Sequence, residues 1–173
     1  MRVAVTGADG FLGCGTCASL ERRGYDVVRL VRGSATGAPR VHESVMSIGP
    51  LETLATRADL FNVRKALEGC DAVIHLAGWS GARAGVTSAD YVDAVNVAAT
   101  ERLARLAVEA GIRHFVFMSS IKAVASSSRG EPLTATTPPR PSDAYGRSKL
   151  QAEQALLANS KLAVTIIRPP LVY

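Results

Sequence analysis

The chain has 173 residues, 47% hydrophobic and 20% charged, with a formal net charge of +5. That length allows one domain with a real core, and that balance excludes a disordered chain. No apolar run approaches the roughly 18 residues of a membrane span, no signal-peptide pattern opens the chain, and the arginines are scattered, so the expectation is a cytoplasmic protein binding neither membrane nor nucleic acid.

Residues 2–6 read as a buried strand and residues 11–23 as a helix. Between them lies the glycine-rich turn Thr6-Gly7-Ala8-Asp9-Gly10-Phe11-Leu12-Gly13. Strand, glycine turn and helix form a phosphate cradle. Glycines let a ligand approach bare backbone, and the helix start offers unpaired N–H groups and partial positive charge. Cys14 and Cys17 form a Cys-x-x-Cys in the same turns. The small residues there suit packing on a sheet better than redox or metal chemistry. Three cysteines in all, an odd count, argue against a disulfide framework. His42, His75 and His114 are too scattered to complete a metal set.

Residues 26–31 read as the second strand. A loop with a small edge element follows over 33–50, then a short helix or turn over 51–56. The expected third strand is 57–60, and Asn62 is the expected cap of a helix running to Glu68. Residues 71–76 are nearly all apolar, as suits a strand covered on both faces. A small-residue loop (77–88) leads to the longest helix, 90–110, whose apolar residues recur at three and four. A strand at 114–119, a Ser/Thr/Pro-rich loop at 121–142, a helix at 143–158 and a strand at 163–168 complete the order. Alternating strands and helices at this spacing predict an α/β fold, a doubly wound, mostly parallel sheet in one domain.

Two constellations carry chemistry. The end of the second strand meets the adenosine ribose in such sheets, where an acid selects NAD. Here the position holds Arg32, which can pair with a 2′-phosphate, so the expectation is NADP ahead of NAD. A solvated loop arginine is the alternative. The second constellation is Tyr145-Gly146-Arg147-Ser148-Lys149 on a predicted helix. Tyr145 and Lys149 then share one face. An ammonium about 6 Å from a phenol favours phenolate by about 3 kcal/mol at an effective dielectric of about 20. That is about two pKa units, enough to let Tyr145 take a proton from a substrate hydroxyl. Ser119 and Ser120 end a central strand, where this fold class places its chemistry. Ser120 is the candidate to orient the substrate oxygen, with Ser119 as the alternative.

These segments together resemble the extended short-chain dehydrogenase/reductase family, within its NAD(P)-dependent sugar-nucleotide epimerase/dehydratase group. The matching stretches are Thr6 to Gly13, Asp59-Leu60, His75-Leu76-Ala77-Gly78, Asn96, Ser119-Ser120-Ile121-Lys122, Tyr145 to Lys149, and Arg168-Pro169-Pro170-Leu171-Val172-Tyr173. The resemblance implies a Rossmann-like NAD(P) domain with Ser120, Tyr145 and Lys149 catalytic. It implies cofactor contacts from Gly7, Asp9, Gly10, Phe11, Leu12, Gly13, Arg32, Asp59, Leu60, Leu76, Ala77, Gly78, Asn96, Ser119, Tyr145, Lys149 and Pro169, with Asp59 and Leu60 beside the adenine and Lys149 on the nicotinamide ribose. The implied substrate is a nucleotide-sugar. Within the group the motifs look most like bacterial UDP-sugar 4-epimerases and related 4-ketoreductases of surface-polysaccharide synthesis. A non-catalytic dinucleotide-binding regulator or scaffold is the reading from a different class. Helices 90–110 and 143–158 are the expected dimer face, unless their apolar stripes only cover the sheet. Family members continue past Tyr173 into a smaller domain that binds the sugar. The expectation is therefore a truncated chain that binds cofactor but turns over little.

Overall fold

Six parallel strands carry the fold: β1 (Arg2–Thr6), β2 (Asp26–Arg32), β3 (Val45–Ile48), β4 (Ala72–His75), β5 (His114–Met118) and β6 (Ala163–Ile167), in the spatial order β3-β2-β1-β4-β5-β6. The computed structural model describes residues 1–32, 45–48, 57–79, 88–128, 130, 132–170 and 172, with backbone alone at Arg32, Val45, Ser47, Ile48, Arg57, Ala58, Asp59 and Ala89. The helices are α1 (Phe11–Arg22), α2 (Arg57–Leu67), α3 (Ala89–Asp93), α4 (Ala99–Glu109) and α5 (Ala144–Leu157). None of the described helices is long and apolar enough to cross a membrane.

Alternation along the strands sorts the core into two layers. Ala4, Val28, Leu30, Val73, Phe115 and Phe117 face α2, α4 and α5, meeting Val63, Leu67, Leu103, Ala107, Ala152 and Leu156. Val3, Val5, Val27 and Ala72 face the other way, against Ala8 and Cys17 of the first turn and α1. Both faces of the central strands are thus covered, as their continuous apolar runs demand. Fully burying each of Phe115 and Phe117 is worth about 1.5–3 kcal/mol.

Two expectations are corrected. Residues 57–60 open α2 instead of forming the third strand, and Asn62 lies inside that helix rather than capping it. Leu60, Val63 and Leu67 recur at three and four and pack into the main core, which alternation over 57–60 would not achieve. The third strand is β3, in register Arg29↔Val45 with β2. The short element expected at 51–56 lies outside the described residues.

The helix expected over 90–110 is continuous but not uniform. Residues Ala94–Ala98 form a π turn between α3 and α4, closed by the Ala99 amide on the Ala94 carbonyl five residues back. Such turns widen the helix locally and turn its side chains. Here the widened turn carries Asn96.

The order of the strands reverses between β1 and β4, so the chain leaves these neighbours toward opposite faces. The crevice beyond the carboxyl ends of the two strands is where open α/β sheets take their ligands.

Candidate active site

The turn after β1 is built for close approach. Gly7 has φ +65, and a Cβ there would lie 2.9 Å from the Ala77 amide nitrogen after β4. A Cβ on Gly13 would stand 2.0 Å from the Gly7 carbonyl oxygen. Only glycine fits either place. The Gly10 amide donates to the Gly7 carbonyl at 2.9 Å, tightening the turn. Gly10 caps α1 without a side-chain hydrogen bond, and no acidic residue stands in the first turn. The opening N–H groups of α1 are thereby left for an anion.

These residues wall one side of a cleft of about 560 Å³. Gly7, Gly10, Phe11, Leu12 and Gly13 line it from the β1 turn, and Leu76, Gly78 and Trp79 from the β4 end. Met118, Ser119 and Ser120 line it beyond β5, Tyr145 and Lys149 from α5, and Pro169, Pro170 and Val172 beyond β6. Four strand ends thus converge on one opening.

The two serines face different ways. The Ser120 hydroxyl lies on the Tyr145 side of the cleft, where it acts on the phenol, and accepts the Lys122 amide at 3.2 Å. The Ser119 hydroxyl instead donates to the Glu153 carboxylate. Tyr145 does not have the depressed pKa expected from Lys149. Burial pushes it above the usual phenol value. The Ser120 hydroxyl and the Lys122 charge pull it down, while Asp143 pushes it up. Lys149 is not among the charges that move the phenol, and its ammonium is directed at β5 instead. It donates to the Met118 carbonyl at 2.8 Å and lies 4.6 Å over the Phe117 ring. Burial lowers the Lys149 pKa from 10.5 to about 8, with Glu153 pushing back up.

A buried relay of hydrogen bonds runs beneath the cleft. The Thr6 hydroxyl meets His75 Nδ1 at 2.6 Å, and His75 Nε2 meets the Thr100 hydroxyl at 3.0 Å. Thr100 spends its proton on the Asn96 carbonyl at 2.8 Å, and the Thr6 oxygen accepts the Ala77 amide. These partners assign the proton to Nε2 of a neutral imidazole. Burial, then the Lys149 charge, hold the His75 pKa down at about 3. Asn96 grips both the amide and the carbonyl of Trp79, at 2.8 and 3.0 Å, and donates to Ser148 at 3.0 Å. Ser148 in turn donates to the Tyr145 carbonyl at 2.8 Å.

Of the residues singled out in the sequence, the glycine turn, Leu76, Gly78, Ser119, Ser120, Tyr145, Lys149 and Pro169 meet in the cleft. Ala77 stands against Gly7, and Asn96 lies beneath the cleft as the grip on Trp79. Asp9 is exposed in the turn. Leu60 packs into the main core instead of the cleft. Arg32 closes β2 and Asp59 stands in α2, but their side chains lie outside the described residues. Sequence reasoning missed Trp79 and Met118 in the wall and Glu153 beneath it. Glu153 had a legible signal, as an acid four residues after Lys149 on the same helix face. Cys17 is core, its thiol pushed up first by burial, and Cys14 is exposed. Among the described residues no three His, Cys, Asp or Glu side chains gather as a metal set.

Comparison with known proteins gives a concordant result. The family described as NAD dependent epimerase/dehydratase matches residues 3–173. A 4-hydroxy-2-methyl-3-oxo-4-farnesyl-3,4-dihydroquinoline-1-oxide ketoreductase of Stigmatella aurantiaca is 32% identical over 98% of this chain and 49% of its own length. UDP-glucose 4-epimerase of Bacillus subtilis is 29% identical over 97% of this chain and 52% of its own. The structure of MoeE5 in complex with UDP-glucose and NAD superposes with a TM-score of 0.75 at 30% identity, covering 96% of this chain and 52% of that one. The chain therefore spans about half the length of these relatives.

Proposed function

The chain belongs to the NAD dependent epimerase/dehydratase family, and from that premise we propose that it serves reversible hydride transfer at a hydroxyl-bearing carbon of a UDP-sugar, as a 4-epimerase. The observation that carries this reading is the meeting of Ser120, Tyr145 and Lys149 in one cleft with the uncapped start of α1. The cradle fits a dinucleotide: a Cβ on Gly7 or Gly13 would fill the space bare backbone leaves open. Gly7 to Gly13 would hold its diphosphate, and Lys149, Gly78 and Pro169 its nicotinamide half. When bound, the nicotinamide supplies the hydride acceptor and donor.

The residues of the chain then manage the proton. Ser120 orients the substrate oxygen and keeps the Tyr145 hydroxyl aimed at it. As a phenol, Tyr145 gives its proton to that oxygen in reduction, and the phenolate this leaves takes the proton back in oxidation. Its raised pKa keeps it a phenol near neutral pH, the form suited to proton donation. The Lys149 ammonium places positive charge at the same end of the cleft.

NADP is the proposed dinucleotide, supported by Arg32 and the lack of an acid at the end of β2. Comparing NADP and NAD affinities of the wild type and Arg32→Ala tests it: equal wild-type binding of both ends the preference. A ketoreductase is the second reading, favoured by the apolar side chains of Trp79, Met118, Pro169 and Pro170 in the cleft and by the Stigmatella relative's own activity. One assay separates the two. An epimerase inverts the sugar without net loss of NADPH, whereas a ketoreductase consumes one NADPH per product. Turnover of neither UDP-sugars nor ketones, with dinucleotide bound, would favour a non-catalytic binding protein.

A homodimer through the outer faces of α3, α4 and α5 belongs to the same proposal. A groove there is lined by Ala94, Val97 and Ala98 together with Asp90, Asp93, Glu101, Gln151 and Gln154. Sedimentation at rising concentration tests it, and a monomer throughout removes it.

A further inference from the structure

Tyr145, Lys149 and Glu153 stand four residues apart on α5, so they share one face. Lys149 is 4% exposed and Glu153 is 1% exposed. A charge so far from water needs a partner held in place. Glu153 is anchored from two other elements. Ser119, after β5, donates to its Oε1, and Arg168, after β6, reaches it with Nε at 2.9 Å and a terminal nitrogen at 2.5 Å.

The other groups around Lys149 offer no negative charge. From β5 come the Met118 carbonyl and the Phe117 ring. From β4 comes His75, neutral through burial. From its own helix comes Tyr145, a phenol, and beyond β6 lies the second cation, Arg168. Among the described residues, Glu153 is the carboxylate whose charge acts on Lys149.

We propose that Glu153 is a positioning residue of the hydride-transfer site: its anchored carboxylate is the counter-charge that keeps the Lys149 side chain an ammonium inside the protein. This rests on the proposed function for its consequence in catalysis, but the charge relation stands on the cluster alone. Burial holds the Lys149 pKa down to about 8 even with the Glu153 charge opposing it. That leaves the ammonium a narrow margin at neutral pH. Removing the carboxylate makes the lysine a neutral amine there, while Arg168 loses its partner in the same step. The cluster also ties the Ser119 and Arg168 ends of β5 and β6 to α5, so charge and position are set by one side chain.

The test is an NMR titration of lysine side chains labelled at the ε-nitrogen, with Lys149 assigned from a Lys149→Arg spectrum. It requires no substrate and no turnover, so failure of the proposed function and failure of this inference are separate results. The wild-type midpoint is expected near 8. Glu153→Gln is expected to lower it by about one unit or more, tenfold in the proton dissociation constant. Arg168→Gln is expected to raise it, because the carboxylate then acts on Lys149 without a competing cation. Opposite shifts from the two variants are the signature of charge, and a merely structural role moves both the same way. An unchanged midpoint in Glu153→Gln overturns the proposal. If that variant does not fold, a midpoint that fails to rise in Arg168→Gln overturns it. With dinucleotide added, Glu153→Gln should move the pH dependence of its affinity down by the same amount as the lysine midpoint.

Discussion

A single phenol bears the proton in the proposed reaction, so Tyr145→Phe is the sharpest residue-scale change. It should lower turnover by about 10²–10⁴-fold while leaving the dinucleotide dissociation constant within about twofold, as read by titration calorimetry on the same sample. His75 makes a separate prediction about pH. Its folded pKa, about 3, lies below its ordinary 6.5. The unfolded chain therefore binds this proton first as the pH falls, and the contribution of His75 is present above 6.5 and lost between 6.5 and 3. By pH 4 the loss is about 3 kcal/mol. Urea unfolding at pH 7 and pH 4 should show the wild type losing about that much more than His75→Gln, in which the position does not titrate. Equal losses would mean that the imidazole is not held neutral.

Helix α5 begins with more restraint than its neighbours. Asp143 accepts the Gly146 amide at 2.6 Å and pairs with Lys122 at 3.0 Å. A Cβ on Gly146 would come within 2.3 Å of the Lys122 carbonyl, so the 3-10 turn Ile121–Ala123 seats directly on the helix start. This brings Ser120 to Tyr145. Asp143→Ala should cost about 1 kcal/mol of stability as a lost cap, since the half-exposed Lys122 pair adds little. It should also cost more in turnover than in dinucleotide affinity, because it loosens the acid–base pair and not the phosphate turn. Chemical unfolding and paired kinetic and binding assays measure both effects. At this scale the sequence was legible where periodicity was long, as in α4 and α5. It misled at 57–60, where four residues alternating polar and apolar suit a strand until Val63 and Leu67 are counted. The π turn at 94–98 was not legible at all. A carbonyl accepting from five residues on, instead of four, leaves the apolar stripe nearly unchanged.

Across the whole molecule, the strand order places every site segment at one sheet edge. Strand spacing alone predicts that edge, and so the glycine turn, Ser120, Tyr145 and Lys149 could be expected to meet. The contacts that hold them could not. Thr6 and His75 lie 69 positions apart, and Ser119 and Glu153 lie 34 apart. Such pairs exist only once the topology is built. A ligand bound across the edge should steady the whole sheet. At a dinucleotide concentration 100 times its dissociation constant, stability should rise by about 2.7 kcal/mol. For a chain of this size that is a melting-temperature increase of roughly 5–10 °C, measurable by scanning calorimetry. No increase with either NAD or NADP would count against a dinucleotide site. The relay from Thr6 through His75, Thr100, Asn96 and Ser148 to the Tyr145 carbonyl has a further consequence. It fixes the span between the phosphate turn and the acid–base phenol with side chains whose donors each have one direction. The cleft is in effect a gauge cut to one ligand length. Under the proposed function, a mononucleotide would reach one jaw of it but not both.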